Sequence, residues 1–312
     1  MRNHQSVLPD FSSSVVAVPP VAWDEAFNLN EVANRAQIRH IEAGGVSILL
    51  YGGNANLYHF DLGRFADLVG LIADAASPDT VVIPSIGPDL GKALDECKLL
   101  HRHGFSEVMM LPTQFPSSPA GLVRGIRMCA DALGHGLILY VKREGYLAPT
   151  DVEQLVKSDA VRFVKYAVER ELPEVDPYLS DIIAAIGPQR VSSGMGETPI
   201  HTHLPVLKMA TYTSGAVCIA PRAAMELLRA YKVGDLTYAE ELRIPFLRFE
   251  QVRSALGGIA VLHDAVTISG IADMGPILPM LANIPAAQQP LVADAVAGLV
   301  DVERSVRAAA PA

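Results

Sequence analysis

Cysteine is scarce in this chain. Cys97, Cys129 and Cys218 are the three in 312 residues, they lie far apart, and two of them fall in helical patterns. That spread excludes a disulfide scaffold and a cysteine-based metal site, and it fits reduced thiols in a core. A basic excess is missing too: 34 acidic against 25 basic side chains leave a formal net charge of −9. Nucleic acid and anionic membranes both require a basic face, so neither is expected as a partner, whereas a few local cations suffice for a small anionic substrate. No uninterrupted apolar run is long enough to span a bilayer, and Met1-Arg2-Asn3-His4-Gln5-Ser6-Val7 lacks the apolar centre of a signal peptide. A cytoplasmic location is the expectation. Finally, the first β-rich run leads into Ala17-Val18-Pro19-Pro20 rather than a Gly-x-Gly-x-x-Gly turn, which argues against a dinucleotide-binding open sheet.

What the chain has in quantity is apolar residues, 50% against 19% charged, enough for a large core. They are arranged as short β-rich runs alternating with amphipathic helical segments. The runs are apolar almost throughout, as in a parallel sheet covered on both faces. Strands are expected at residues 14–18, 46–51, 81–86, 107–111, 136–141, 161–168, 190–194 and 214–220. Helices are expected at 30–42, 61–75, 90–103, 120–133, from a capping box at Thr150-Asp151-Val152-Glu153, at 179–186, 197–210 and 223–231. Eight β/α units of this kind predict an α/β fold of the (β/α)8 TIM-barrel type over residues 1–232. The remainder, 233–312, reads as a C-terminal helical extension interrupted by Met274-Gly275-Pro276-Ile277-Leu278-Pro279.

In such a barrel the site gathers where strands end. The sixth run, Val161-Arg162-Phe163-Val164-Lys165-Tyr166-Ala167-Val168, carries a lysine among residues expected to be buried. Burial disfavours the charged amine, and a neutral amine attacks carbonyls to form a Schiff base, although a lysine at a strand end also snorkels to water or pairs with a carboxylate. Tyr140 ends the preceding run and would stand beside Lys165 as a general acid/base, or else as a rim tyrosine bonded to backbone. Gly52-Gly53-Asn54-Ala55-Asn56 follows the second run, offering either an anion-binding backbone or a plain turn. Ser192-Ser193-Gly194-Met195-Gly196-Glu197-Thr198 follows the seventh, where barrels often hold phosphate or carboxylate at a helix N-terminus. His101/His103 and His201/His203 have a spacing that points the rings about 200° apart on a helix, unsuited to a metal pair. No metal or cofactor is called for.

The order and content of these segments resemble the dihydrodipicolinate synthase and N-acetylneuraminate lyase superfamily, (β/α)8 enzymes that bind 2-oxo acids as Schiff bases. The match rests on Leu139-Tyr140 followed 25 residues later by Val164-Lys165, at the family's tyrosine and lysine, on residues 52–56 at its Gly-Thr-Thr-Gly-Glu loop, and on Gly194-Met195-Gly196 at its seventh loop. The chain departs from the pattern at Gly53 and Asn54, where the family has paired threonines, and at Asn56, where it has an acid. Gln114 stands where dihydrodipicolinate synthases receive a neighbouring subunit's tyrosine. Val141-Lys142-Arg143-Glu144 replaces the synthases' Asn-x-Pro and is more like the superfamily's sugar-acid dehydratases, with Lys142 and Arg143 as a carboxylate clamp or as surface charge. The resemblance implies a lyase, aldolase or dehydratase, for pyruvate or a 2-keto-3-deoxy sugar acid. Lys165 and Tyr140 are then catalytic, and Gly53, Asn54, Arg143, Gly194, Gly196 and Val217 bind substrate. A 4-hydroxy-tetrahydrodipicolinate synthase, a metal-dependent aldolase and a catalytically silent 2-oxo-acid-binding barrel are the alternatives. It also implies a homotetramer or homodimer, for which the segment from Met274 to Met280 would be an exposed contact.

Overall fold

The computed structural model describes residues 8–309. Residues 1–7, read above as too polar for a signal peptide, lie outside the described part. Eight parallel strands close in sequence order into a barrel, β1 (Val16–Ala17), β2 (Ile48–Tyr51), β3 (Val81–Ile86), β4 (Met109–Met110), β5 (Leu137–Val141), β6 (Val161–Tyr166), β7 (Val191–Ser193) and β8 (Thr211–Ser214), with β8 pairing back onto β1. Between them run α1 (Glu31–Ala43), α2 (Leu62–Ala75), α3 (Leu90–His103), α4 (Pro119–Leu133), α5 (Pro149–Lys157), α6 (Pro177–Ile186) and α7 (Ile200–His203), and α8 (Pro221–Val233) closes the barrel. Local chemistry sets four of these helix starts: Asn30, Asp61, Ser118 and Asp176 each accept a backbone N–H of the first turn. Proline at the first helical position reinforces α4 and α6.

Three elements differ from the sequence expectation. Helix α5 begins at Pro149, with Ala148 as its cap and no side-chain cap bond, so the capping box does not form. Pro149, preset for a first helical position, decides the start, and Glu153 instead pairs with Lys157 at 2.8 Å. The helix expected over 197–210 shrinks to the single turn of α7, because Pro199 precedes it and Pro205, which has no N–H to continue the ladder, follows. Strand β8 accordingly comes earlier, at Thr211–Ser214, and the apolar run Ala216–Cys218 is a buried 3₁₀ turn.

Beyond the barrel come α9 (Leu236–Leu256), α10 (Gly258–Ile268) and α11 (Gln289–Ala309); α9 packs on α8, α10 and α11. The segment between α10 and α11 is tied down rather than exposed. Met274 and Leu278 are buried, the Trp23 N–H donates to Met274 O at 3.0 Å, and Asp264 accepts from Ile284 N at 2.7 Å. Within the stretch from Met274 to Met280 the methionine that stands free is Met280, 82% exposed, so the expected apolar contact surface there is much smaller. Among the described residues no helix is long and apolar enough to cross a membrane.

Candidate active site

The site is built on the alternation of β6. Successive side chains on a strand point to opposite faces. Phe163 points into the barrel and stacks on Phe11 at 4.0 Å, plugging the N-terminal end of the bore. Two residues on, Lys165 shares that inward face near the C-terminal end. Between and beyond them Val164 and Tyr166 face the helices, where the Tyr166 hydroxyl donates to Asp176 Oδ2 at 2.7 Å. Strand register then brings Tyr140 of β5 directly opposite Lys165. The Lys165 Nζ sits 4.2 Å from the centre of the Tyr140 ring, and both residues are buried, at 5% and 8% exposure.

Burial, joined by the cations of Lys142 and Arg253, lowers the Lys165 pKa to about 7. The aromatic face beside it favours the ammonium, but that contact is opposed by lost hydration and two like charges, so a large neutral fraction remains near pH 7. Burial, with Tyr58 nearby, moves the Tyr140 phenol upward, so it stays protonated and able to donate. Because the free amine is the nucleophile, imine formation with pyruvate is expected to rise with pH through about 7 and level off well below the ordinary lysine value of 10.5. The rate of borohydride-trappable adduct between pH 5.5 and 9 measures this; a rise centred near 10 would contradict it.

Above the lysine lies a cavity of about 360 Å³ at the C-terminal mouth of the barrel. Of the residues singled out in the sequence, Tyr140, Lys165, Gly53, Asn54, Gly194 and Gly196 all line it. Gly194 follows from close packing: its N–H donates to Tyr166 O at 2.6 Å, and a Cβ there would stand 2.6 Å from that oxygen and 2.7 Å from Ala167 Cβ. Gly196 has φ +61°, and a Cβ would come within 3.0 Å of the Glu250 carboxyl. The Asn54 side chain is already engaged at both ends. Its amide donates to Val18 O at 3.0 Å, and its oxygen accepts from Arg253 at 3.3 Å, so it braces a cation instead of offering its own amide.

Two candidates are not brought to the cavity. Arg143 turns outward and lays its guanidinium 5.2 Å from the Tyr146 ring centre, while Lys142 lines the mouth in its place. Val217 is buried in the 3₁₀ turn after β8, where its N–H donates to Ser214 Oγ at 3.0 Å. Gln114 is exposed on the loop after β4 and does not line the cavity either. The histidines are otherwise employed, His101 Nδ1 lying 2.8 Å from Leu133 O and His203 Nδ1 2.8 Å from Ser193 Oγ.

Arg253, on α9, is the main residue that sequence reasoning missed. It donates to Glu250 Oε1 at 2.7 Å, to Gly258 O at 3.1 Å and to Asn54 at 3.3 Å, which fixes its guanidinium at the cavity wall. Its i,i+3 spacing from Glu250 was the available signal. With Lys142 it gives the cavity two cations within reach of a bound carboxylate, opposite an amine of lowered pKa and a phenol. This constellation suits carbonyl chemistry on an anionic substrate.

The fold and this arrangement define a (β/α)8 barrel with a buried lysine at the end of its sixth strand. No family model matches the chain. It is 22% identical over 293 residues to a protein from Leptothrix cholodnii named probable 5-dehydro-4-deoxyglucarate dehydratase, covering 88% of this chain and 92% of that one. Among solved structures it superposes on dihydrodipicolinate synthase from Bacillus clausii with a TM-score of 0.82, at 16% identity, over 93% of this chain and 99% of the other. It also superposes on the sialic acid aldolase of Ruminococcus gnavus with a TM-score of 0.82, at 13% identity, over 95% and 99%. The chain is thus similar in sequence to proteins named probable 5-dehydro-4-deoxyglucarate dehydratase, and it shares its fold with dihydrodipicolinate synthase and sialic acid aldolase.

Proposed function

We propose that this protein is a lysine Schiff-base lyase acting on a 2-oxo acid. The observation that carries the reading is the buried, pKa-lowered Lys165 against Tyr140 at the foot of a cavity walled by cations. The Lys165 amine attacks the 2-oxo carbon, water leaves with protons handled by the Tyr140 phenol, and the resulting iminium draws electrons from the bond to be broken. Lys142, Arg253 and the backbone at Gly53 hold the substrate carboxylate. The names of the relatives, dehydratase and aldolase, support both a carbon–oxygen and a carbon–carbon cleavage, and the sequence relative favours a keto-deoxy sugar acid and dehydration. No metal or cofactor enters these steps, and a homodimer or homotetramer in the cytoplasm is the setting we propose.

Product analysis with pyruvate and with 2-keto-3-deoxy sugar acids tests the reading. Turnover of a sugar acid is expected, with pyruvate and aspartate semialdehyde condensed about 10²-fold less well or worse, since neither Gly53 nor Gln114 can pass protons as a hydroxyl does. The reverse preference would make the chain a 4-hydroxy-tetrahydrodipicolinate synthase.

A further inference from the structure

Behind the cavity wall sits a second acid that the chemistry above does not use. Glu197, on the loop after β7, is completely buried, and its Oε2 has no hydrogen-bond partner. Its Oε1 lies 2.5 Å from the hydroxyl oxygen of Ser214, and Ser214, unlike Glu197, lines the cavity. The charged groups facing Glu197 come mainly from α9. Glu250 raises its proton affinity, while Arg253 opposes this but is bonded directly to Glu250; Arg243 reaches only the Glu197 backbone carbonyl. Tyr212 of β8 and Cys218 of the following turn also lie within electrostatic range, both neutral because burial pushes them upward.

The Ser214 hydroxyl has one hydrogen and two lone pairs. One lone pair is taken by the Val217 N–H at 3.0 Å. If Glu197 is a carboxylic acid, its O–H takes the other, and the Ser214 hydrogen is left to point into the cavity. If Glu197 is a carboxylate, it takes that hydrogen for itself, and Ser214 shows the cavity only a lone pair. The state of the buried acid therefore sets whether the wall donates or accepts.

We infer that Glu197 is a positioning residue held as a neutral acid, which makes Ser214 a hydrogen-bond donor to an oxygen of the bound 2-oxo acid and withdraws that donor when Glu197 ionises. The inference rests on the proposed 2-oxo-acid site and adds a specificity element on the wall between β7 and β8, away from Tyr140. Two observations support the neutral form, full burial and the unpartnered Oε2, and that burial, with Glu250 nearby, raises the pKa to about 8. A lone carboxylate in that position would be a buried charge without a direct cationic partner.

The test combines infrared spectroscopy with binding of 2-keto-3-deoxygluconate across pH 6–10. The wild-type protein is expected to show a protonated-carboxyl stretch at neutral pH that fades above about 8 and is absent from Glu197→Gln. Substrate affinity is expected to fall roughly tenfold or more as that band disappears. In Glu197→Gln the amide donates to Ser214 at every pH, so this alkaline loss disappears; in Ser214→Ala affinity is weak and likewise shows no alkaline loss. Absence of the carboxyl band, or an alkaline loss in Glu197→Gln equal to that of wild type, overturns the inference. Borohydride trapping of pyruvate is run on the same samples and reports on Lys165 alone, so a failed Schiff-base reading is recognised by missing adduct whatever the infrared band does.

Discussion

Replacing Lys165 with alanine is expected to lower turnover of any 2-oxo acid substrate by on the order of 10⁴- to 10⁶-fold, the scale seen when a covalent nucleophile is removed. The residual groups cannot substitute. Lys142 is exposed at the mouth, and Arg253 is a guanidinium that stays protonated. The loss should occur without unfolding, because the alanine removes a buried, poorly solvated amine whose ion-pairing partners are absent from the described contacts, and Phe163 still plugs the bore. Steady-state rates together with a thermal melt check this. A variant that keeps more than about one hundredth of wild-type turnover, with its fold intact, shows that the chemistry does not pass through this amine.

Replacing Arg253 with alanine should damage both stability and substrate binding. Its side chain is 12% exposed and that of Glu250 13%, so its loss strands a carboxylate next to the buried Glu197. Breaking a buried pair from one side costs about 3 to 5 kcal/mol, to which the lost bond to Gly258 O and the freed Asn54 oxygen add strain at the cavity wall. The KM for a 2-oxo acid should rise by roughly tenfold or more through the lost charge-assisted contact. Urea denaturation and initial rates measure the two effects separately. If stability falls while KM stays at the wild-type value, Arg253 is structural and the substrate carboxylate is held elsewhere.

The part of this site that was legible in the sequence is the part governed by strand periodicity. A lysine in a doubly apolar run, 25 residues after a tyrosine in another, places both at strand ends once a parallel barrel is assumed, and the register between β5 and β6 puts them side by side. The same rule of two could have been carried one step further. Lys142 is two residues from Tyr140 and follows it toward the mouth, whereas Arg143 is three away and points outward. Choosing Arg143 favoured the better carboxylate ligand over the better position.

Other features were hidden because they depend on distant segments or competing local signals. Apolar content drew the eighth strand onto residues 214–220, but the polar run Thr211-Tyr212-Thr213-Ser214 forms the ladder, with the Thr211 hydroxyl donating to Ser14 O at 2.7 Å. Pro205 was the overlooked stop that would have moved it, and Val217 fell away with the misplaced strand. Arg253 lies nearly two hundred positions after Asn54, and its i,i+3 spacing from Glu250 announces an ion pair but not that a helix beyond the barrel turns that pair into the cavity. Asn54 was noticed for its place on the loop, yet its role is visible only once that arginine is seen against it.

The central claim is that Lys165 forms the Schiff base, and it is tested most directly by mass spectrometry with peptide mapping after borohydride reduction in the presence of a 2-oxo acid. The account predicts a stoichiometric adduct on Lys165, absent in Lys165→Ala and formed more slowly in Tyr140→Phe. Failure of every 2-oxo acid tried to label the protein, or a label on Lys142 or Lys157 with Lys165 unmodified, would contradict it.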